Sequence, residues 1–183
     1  MSRFDNYIEE KNAIESEKLS KEETEKKERE QLWEERKKTY LPVIKEKLTE
    51  FTDVLPRIKK WASMRCFVEK RILGIKSIKE KPVTVIELVG LNYYSRDDSY
   101  WPGIYIGKDG KYYKKRPYAG VTEIDIDEMT SEIFKNLPWE PIDYVKRYPN
   151  ALDRSDEIAN EILAGNVEEA VYKYFEKCLE RRI

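Results

Sequence analysis

From Tyr40 onward apolar residues recur mostly at three- and four-residue steps, through Leu41, Ile44, Leu48, Phe51, Val54, Leu55, Ile58, Trp61, Ala62, Val68 and Ile72. That spacing lines one face of a helix. Pro42 and Pro56 lack an amide donor and suit the first turn of a helix, while Gly74 suits a C-terminal cap. The pattern therefore predicts two helices, over about 42–53 and 56–73. Residues 82–90 are rich in branched side chains and end at Gly90, which reads as a strand.

Alternation takes over around Asp109-Gly110, the strongest short-range signal of a hairpin because both turn residues accept positive φ. With those two as the loop, Lys108 pairs with Lys111, Gly107 with Tyr112, Ile106 with Tyr113, Tyr105 with Lys114 and Ile104 with Lys115. Ile104, Ile106 and Tyr113 then face a core. Tyr105, Tyr112, Lys114 and Arg116 face outward, with Tyr112 covering the bare Gly107.

Residues 121–127 alternate again, Ile124 and Ile126 to one side and Glu123, Asp125 and Asp127 to the other. Asp125 and Asp127 look like caps for a helix over about 128–136. Leu137-Pro-Trp-Glu-Pro141 breaks that helix and starts another to about Tyr148; Asp153 caps a further one to Ala164. Gly165-Asn166 stops it and caps the last, whose stripe is Val167, Ala170, Val171, Tyr174 and Cys178 with Phe175 and Leu179 beside it.

Before Tyr40 the pattern is different. Ser20-Lys-Glu-Glu23 has the capping-box form and predicts a helix start. Residues 21–38 are almost wholly Glu, Lys, Arg and Gln, with Leu32 and Trp33 the large apolar exceptions, too few for a coiled-coil seam. The expected fold is α+β: a charged N-terminal arm, helical or partly disordered, over 1–39, and a single α+β domain over 40–183. That domain holds two helices, a small antiparallel sheet with a β-hairpin and a C-terminal helical, bundle-like segment. Phe4, Tyr7 and Ile8 at helical spacing give the arm an anchor for a protein partner.

Charged residues make up 39% of the 183-residue chain, well above the roughly 25% of an average domain. The net charge of −1 hides an uneven distribution: residues 1–50 carry 12 basic and 14 acidic side chains, 51–120 carry 15 and 7, and 121–183 carry 8 and 15. A basic middle thus precedes an acidic end. Two distant cysteines, Cys66 and Cys178, with no histidine, argue against zinc and against several common catalytic mechanisms. No run approaches the roughly 20 apolar residues of a membrane span, and the N-terminus lacks a secretory apolar core, so the expectation is a cytoplasmic protein with reduced thiols and no cofactor.

Residues 100–119 hold six aromatic and five basic side chains, a mixture found on single-strand nucleic-acid platforms. The expected nucleic-acid-binding set is Tyr105, Tyr112, Lys114 and Arg116 on the hairpin with Lys59, Lys60, Lys70 and Arg71 on the preceding helix; Lys76, Lys79 and Lys81 follow in a loop. Glu123, Asp125 and Asp127 on one strand face supply the alternative, a metal-dependent RNA or DNA hydrolase. The first expectation is a non-enzymatic interaction protein with no catalytic residues. It engages nucleic acid or a nucleoprotein through the basic middle, and the arm or acidic helices are free for a protein partner. In overall character, a histidine-free α+β domain with charge-polarised ends and a charged arm is similar to small phage or mobile-element proteins that block host defence enzymes, anti-CRISPR proteins among them. That resemblance implies an inhibitor of a host defence nuclease and favours binding over catalysis.

Overall fold

The computed structural model of the chain describes residues 3–72, 75–88, 103–116, 119–139 and 155–180. It divides into two compact units, Met1–Thr39 and Tyr40–Ile183. Helix α1, Arg3–Val54, runs through both the Ser20 box and Pro42. Ser20 is therefore interior, and its carbonyl accepts from the Thr24 hydroxyl at 2.9 Å. Pro42 likewise starts no helix; it only removes one amide donor from a helix already formed. Within the second unit α1 buries Tyr40, Ile44, Leu48 and Phe51, one helical face.

A short 3-10 turn, Leu55–Arg57, ends α1, and Ile58 N–H donates to the Leu55 carbonyl at 3.1 Å. The chain then extends, and the helix predicted over 56–73 is replaced by strand β1, Ala62–Ile72. The steps from Ile58 to Ile72 fit a helix face, but Met64, Cys66 and Val68 also fit a two-residue period. A ladder with β2, Ile75–Leu88, decides between them. Strands β3, Ile104–Gly107, β4, Tyr112–Arg116, and β5, Ala119–Ile124, follow.

Each strand pairs antiparallel with the next, and the sheet closes as a five-stranded barrel. An up-and-down meander of odd strand number leaves its first and last strands parallel, so the seam is the parallel pair Cys66↔Val121. The expected small sheet is thus a closed barrel, which removes most of its exposed edges. Inside it pack Cys66, Val83, Val85, Tyr105, Tyr113 and Val121, with Met64 and Val68 at the margin.

The outer face of β2 and β3 is buried too. Ile86 pairs with Ile106 and Leu88 with Ile104, all four inaccessible to solvent. Helix α2, Ile126–Asn136, packs on β3 and β4, and α4, Val167–Glu180, on β2. Asp125 caps α2 as its sequence predicts, its carboxylate accepting from Glu128 N–H at 2.8 Å. Helix α3, Ser155–Leu163, ends at Gly165, whose φ of +77° suits glycine. Gly165 N–H donates to Ile162 O at 3.1 Å and Asn166 N–H to Glu161 O at 2.9 Å, the paired bonds of a Schellman stop. Buried Ala170, Val171, Tyr174, Phe175 and Cys178 carry the stripe expected of α4, and Phe175 meets Phe51 at 5.1 Å between ring centres. The helix expected to Tyr148 and the cap expected at Asp153 lie outside the described residues.

Candidate nucleic-acid interface

The β3–β4 hairpin is displaced by one residue from its predicted register. Ile104 pairs with Lys114, Tyr105 with Tyr113 and Ile106 with Tyr112. The loop has three residues, not two: Gly107 N–H donates to Lys111 O at 2.7 Å, Gly110 N–H to Gly107 O at 2.9 Å, and Gly110 takes a φ of +75°. This is the turn-plus-bulge form of hairpin, in which only the last loop residue needs the left-handed region. Asp109 stabilises it, accepting from Lys111 N–H at 3.2 Å and from the Tyr113 hydroxyl at 2.9 Å.

A one-residue slip exchanges the two faces of a strand. Tyr105 accordingly lies inside the barrel, not on the surface. Burial, then the Glu87 carboxylate, pushes its phenol up to about 12. Tyr113, also inside, covers Gly107 in place of Tyr112; a Cβ there would stand 2.7 Å from the Tyr113 ring. Tyr112 is half-buried on the outer face beside Ile106 and Ile124. The predicted aromatic platform therefore does not form.

Lys114 is equally committed. It shares that outer face, and its ammonium sits 2.9 Å from Glu132 of α2 and 3.6 Å from Glu128. Glu132 is only 6% exposed. Burial opposes its ionisation, yet hydrogen bonds from Lys114 and Lys135 hold its carboxyl below the ordinary value. Lys114 thus staples β4 to α2. Arg116 ends β4 at an irregularity opposite Ala119, and its side chain lies outside the described residues.

The three carboxylates of the hydrolase alternative are also dispersed. Glu123 receives Lys111 at 2.6 Å and Lys81 at 3.9 Å, Asp125 caps α2, and Asp127 receives Lys45 at 2.6 Å. Among the described residues no group of three metal-ligating side chains comes together. Cys66 is buried in the barrel, and that burial pushes its thiol up, away from thiolate chemistry.

What the fold does assemble is a basic ribbon. Residues 59–81 hold eight basic side chains, Lys59, Lys60, Arg65, Lys70, Arg71, Lys76, Lys79 and Lys81, against Glu69 and Glu80. Lys59 and Lys60 are exposed in the extended segment leading into β1, and Arg65 and Lys79 are exposed on the ladder itself. Register brings Lys70 opposite Ser77 and Arg71 opposite Lys76, so these two of the eight expected residues lie on a ribbon and not a helix, and Lys59 and Lys60 precede it. The Arg65 to Glu80 pair, at 3.8 Å and largely exposed, neutralises little. Lys76, Lys79 and Lys81, expected in a loop, are strand residues; the period-two step through Met64, Cys66 and Val68 is the signal that would have placed them. Comparison with protein-family models, with curated proteins and with solved structures finds no match.

Proposed function

We propose that this chain is a non-enzymatic nucleic-acid-binding protein whose phosphate-contacting element is the β1–β2 ribbon together with Lys59 and Lys60. The same surface would serve a nucleoprotein. One observation supports this above the others: a chain of net charge −1 gathers eight cations against two anions within residues 59–81, six of the cations on one two-stranded ladder and Lys59 and Lys60 just before it. Lysine and arginine in such a patch displace the counterions condensed on a phosphate backbone, the main source of affinity for nucleic acid. The exposed Glu157, Glu168, Glu169, Glu176 and Glu180 of α3 and α4 repel phosphate and so favour one orientation of approach.

Fluorescence anisotropy with labelled DNA and RNA across a salt series tests the reading. The parent should bind at about 50 mM salt, with affinity falling as salt rises. Replacing Lys59, Lys60 and Lys79 by Ala should reduce the log–log salt slope by about 2.7, near 0.9 for each phosphate no longer neutralised. Absence of binding at low salt, or a slope unchanged in the triple variant, would refute the assignment. Cleavage of the probe that EDTA abolishes would refute its non-enzymatic half.

A further inference from the structure

We infer that the exposed face of α4 docks on the basic surface of a second copy of this chain, an inference that goes beyond the nucleic-acid reading and does not depend on it. The helix presents Glu168, Glu169, Tyr172, Glu176 and Glu180 to solvent. Tyr172 follows Glu169 by three residues and Glu168 by four, and it precedes Glu176 by four. Those spacings make neighbours on a helix, so three carboxylates bracket the tyrosine ring. Beside it lies an open groove of about 460 Å³, which Glu168, Glu169 and Tyr172 line together with Lys47 of α1, Val167 and, just before α4, Asn166. An aromatic side chain inside a polar rim is the usual anatomy of a protein–protein contact.

Carboxylates alone name no partner; the exposed apolar side chains and the opposite charge of the same chain do. Among the described residues of the second unit, the large apolar side chains exposed to solvent are Ile78, Leu163 and Tyr172, at 58%, 61% and 50%. Leu163 and Tyr172 belong to the acidic helices α3 and α4, and Ile78 lies in β2 next to the exposed Lys79. Two oppositely charged surfaces thus each leave apolar area in water that a contact between copies would bury. The charges also balance: residues 51–120 carry 15 basic and 7 acidic side chains, and 121–183 carry 8 and 15. A net charge of −1 leaves no overall repulsion to hold copies apart. Exposed Arg57, Lys59, Lys60, Arg65 and Lys79 supply the cations. From Lys60 to Val68, the partner of Lys79, extended chain reaches roughly 26 Å at about 3.3 Å per residue. From Glu168 to Glu180 the helix reaches about 18 Å, so the acidic stripe fits within the basic one. Each copy carries both surfaces, and the contact is made reciprocally in a pair or repeats head to tail.

Sedimentation velocity of the full chain without nucleic acid, over a concentration series in about 0.1 M and about 1 M salt, tests the contact. Screening shortens from about 10 Å to about 3 Å between those salts, so a contact held by charge weakens. In low salt the weight-average mass should climb with concentration to roughly twice the 21.9 kDa of one chain or more, and in high salt it should return to that value. Glu169→Lys with Glu176→Lys should abolish association, as should Lys60→Glu with Lys79→Glu. An equimolar mixture of the two charge-reversed proteins should associate again, because each keeps the surface that the other has lost. Tyr172→Ala should weaken association by roughly tenfold or more. A parent that stays monomeric in low salt, association that salt leaves unchanged or strengthens, or a mixture that stays monomeric although both variants melt as the parent does, would overturn the inference. A monomeric parent whose α4 face captures an oligolysine peptide would give that face to a different basic protein and overturn the second copy as its occupant. The nucleic-acid reading is untouched by each of these results, since its probe is absent from the cell.

Discussion

Replacing Lys114 by Ala should destabilise the domain, although a lysine on a hairpin strand ordinarily tolerates loss. The reason lies across the interface, in Glu132. At 6% exposure its carboxylate has little water, and both Lys114 and Lys135 donate to the same oxygen at 2.9 Å. Two unit charges about 4 Å apart attract by about 4 kcal/mol at an effective dielectric near 20. Most of that is offset by the cost of dehydrating the ions. Exposed pairs measure about 0.2 to 1 kcal/mol, and breaking one side of a fully buried pair costs about 3 to 5. Lys114 is 28% exposed, and Lys135 stays behind after the substitution, so the expected cost is intermediate, about 1 to 3 kcal/mol.

The pH dependence gives the cost a signature. Glu132 titrates below its ordinary value of 4.5 in the folded protein, so its ion pairs contribute stability above that value, and this is lost as pH falls through the folded pKa. In Lys114→Ala burial is opposed by Lys135 alone. The gap between parent and variant should therefore be full at neutral pH and narrow in acid, once the carboxyl is protonated in both. Urea unfolding of Lys114→Ala, Glu132→Gln and the double variant, at neutral pH and at acid pH, measures the gap and its coupling. A neutral-pH change within about 0.5 kcal/mol, or a gap that persists in acid, would refute the staple and return Lys114 to the free surface.

Gly107→Ala should cost about 1 to 3 kcal/mol in the same unfolding assay, because the added Cβ would press on the Asp109 carboxylate and on the Tyr113 ring at 2.7 Å; a neutral result would show that these two side chains give way without cost. The Tyr105 phenol, with its folded value raised to about 12 from 10.0, favours the neutral form, so its contribution is complete below 10.0 and is lost as pH rises through about 12. Ultraviolet titration should accordingly show a late-ionising phase, shared with the raised phenols of Tyr113 and Tyr174, that Tyr105→Phe reduces by one tyrosine; loss of an ordinary tyrosine with the late phase intact would place Tyr105 in water.

Local chemistry is what this sequence displays openly. Asp125 is readable as a cap because an N-cap needs only its own carboxylate and an amide three residues on, and Gly165-Asn166 is readable because a left-handed residue ends α3 whatever surrounds it. The stripe of α4 is equally local. β1 is not, because Ile58, Trp61, Ala62, Val68 and Ile72 satisfy a helical period while Met64, Cys66 and Val68 satisfy a strand period, and only the partner strand chooses. The hairpin register fails for a related reason. All four residues of β3 are buried, so inward and outward positions do not differ in polarity, and Asp109-Gly110 fits a three-residue loop as well as a two-residue one. Lys114 carries no mark of its role, since Glu132 reaches it only after α2 docks. Of the expected binding residues, Lys59 and Lys60 are exposed, Lys70 and Arg71 fall on β1 and not on a helix, and the hairpin register separates Tyr105 from Tyr112 and Lys114.

The single-pair seam of the barrel bears on how the domain assembles and breathes. The ladders between β1 and β2, β3 and β4, and β4 and β5 join near neighbours in the chain, and loop closure for such hairpins is fast. The seam joins residues 66 and 121, which are 55 positions apart, through one backbone pair. It closes after the hairpins exist, and the large loop it spans places it late in folding. In the native protein it is also the joint with fewest bonds to break, where local opening starts before the ladders yield. Cys66 stands at that joint with its thiol turned into the interior. A thiol-specific reagent therefore reaches it at the pace of seam opening, and the cysteine serves as a clock for the barrel's motion.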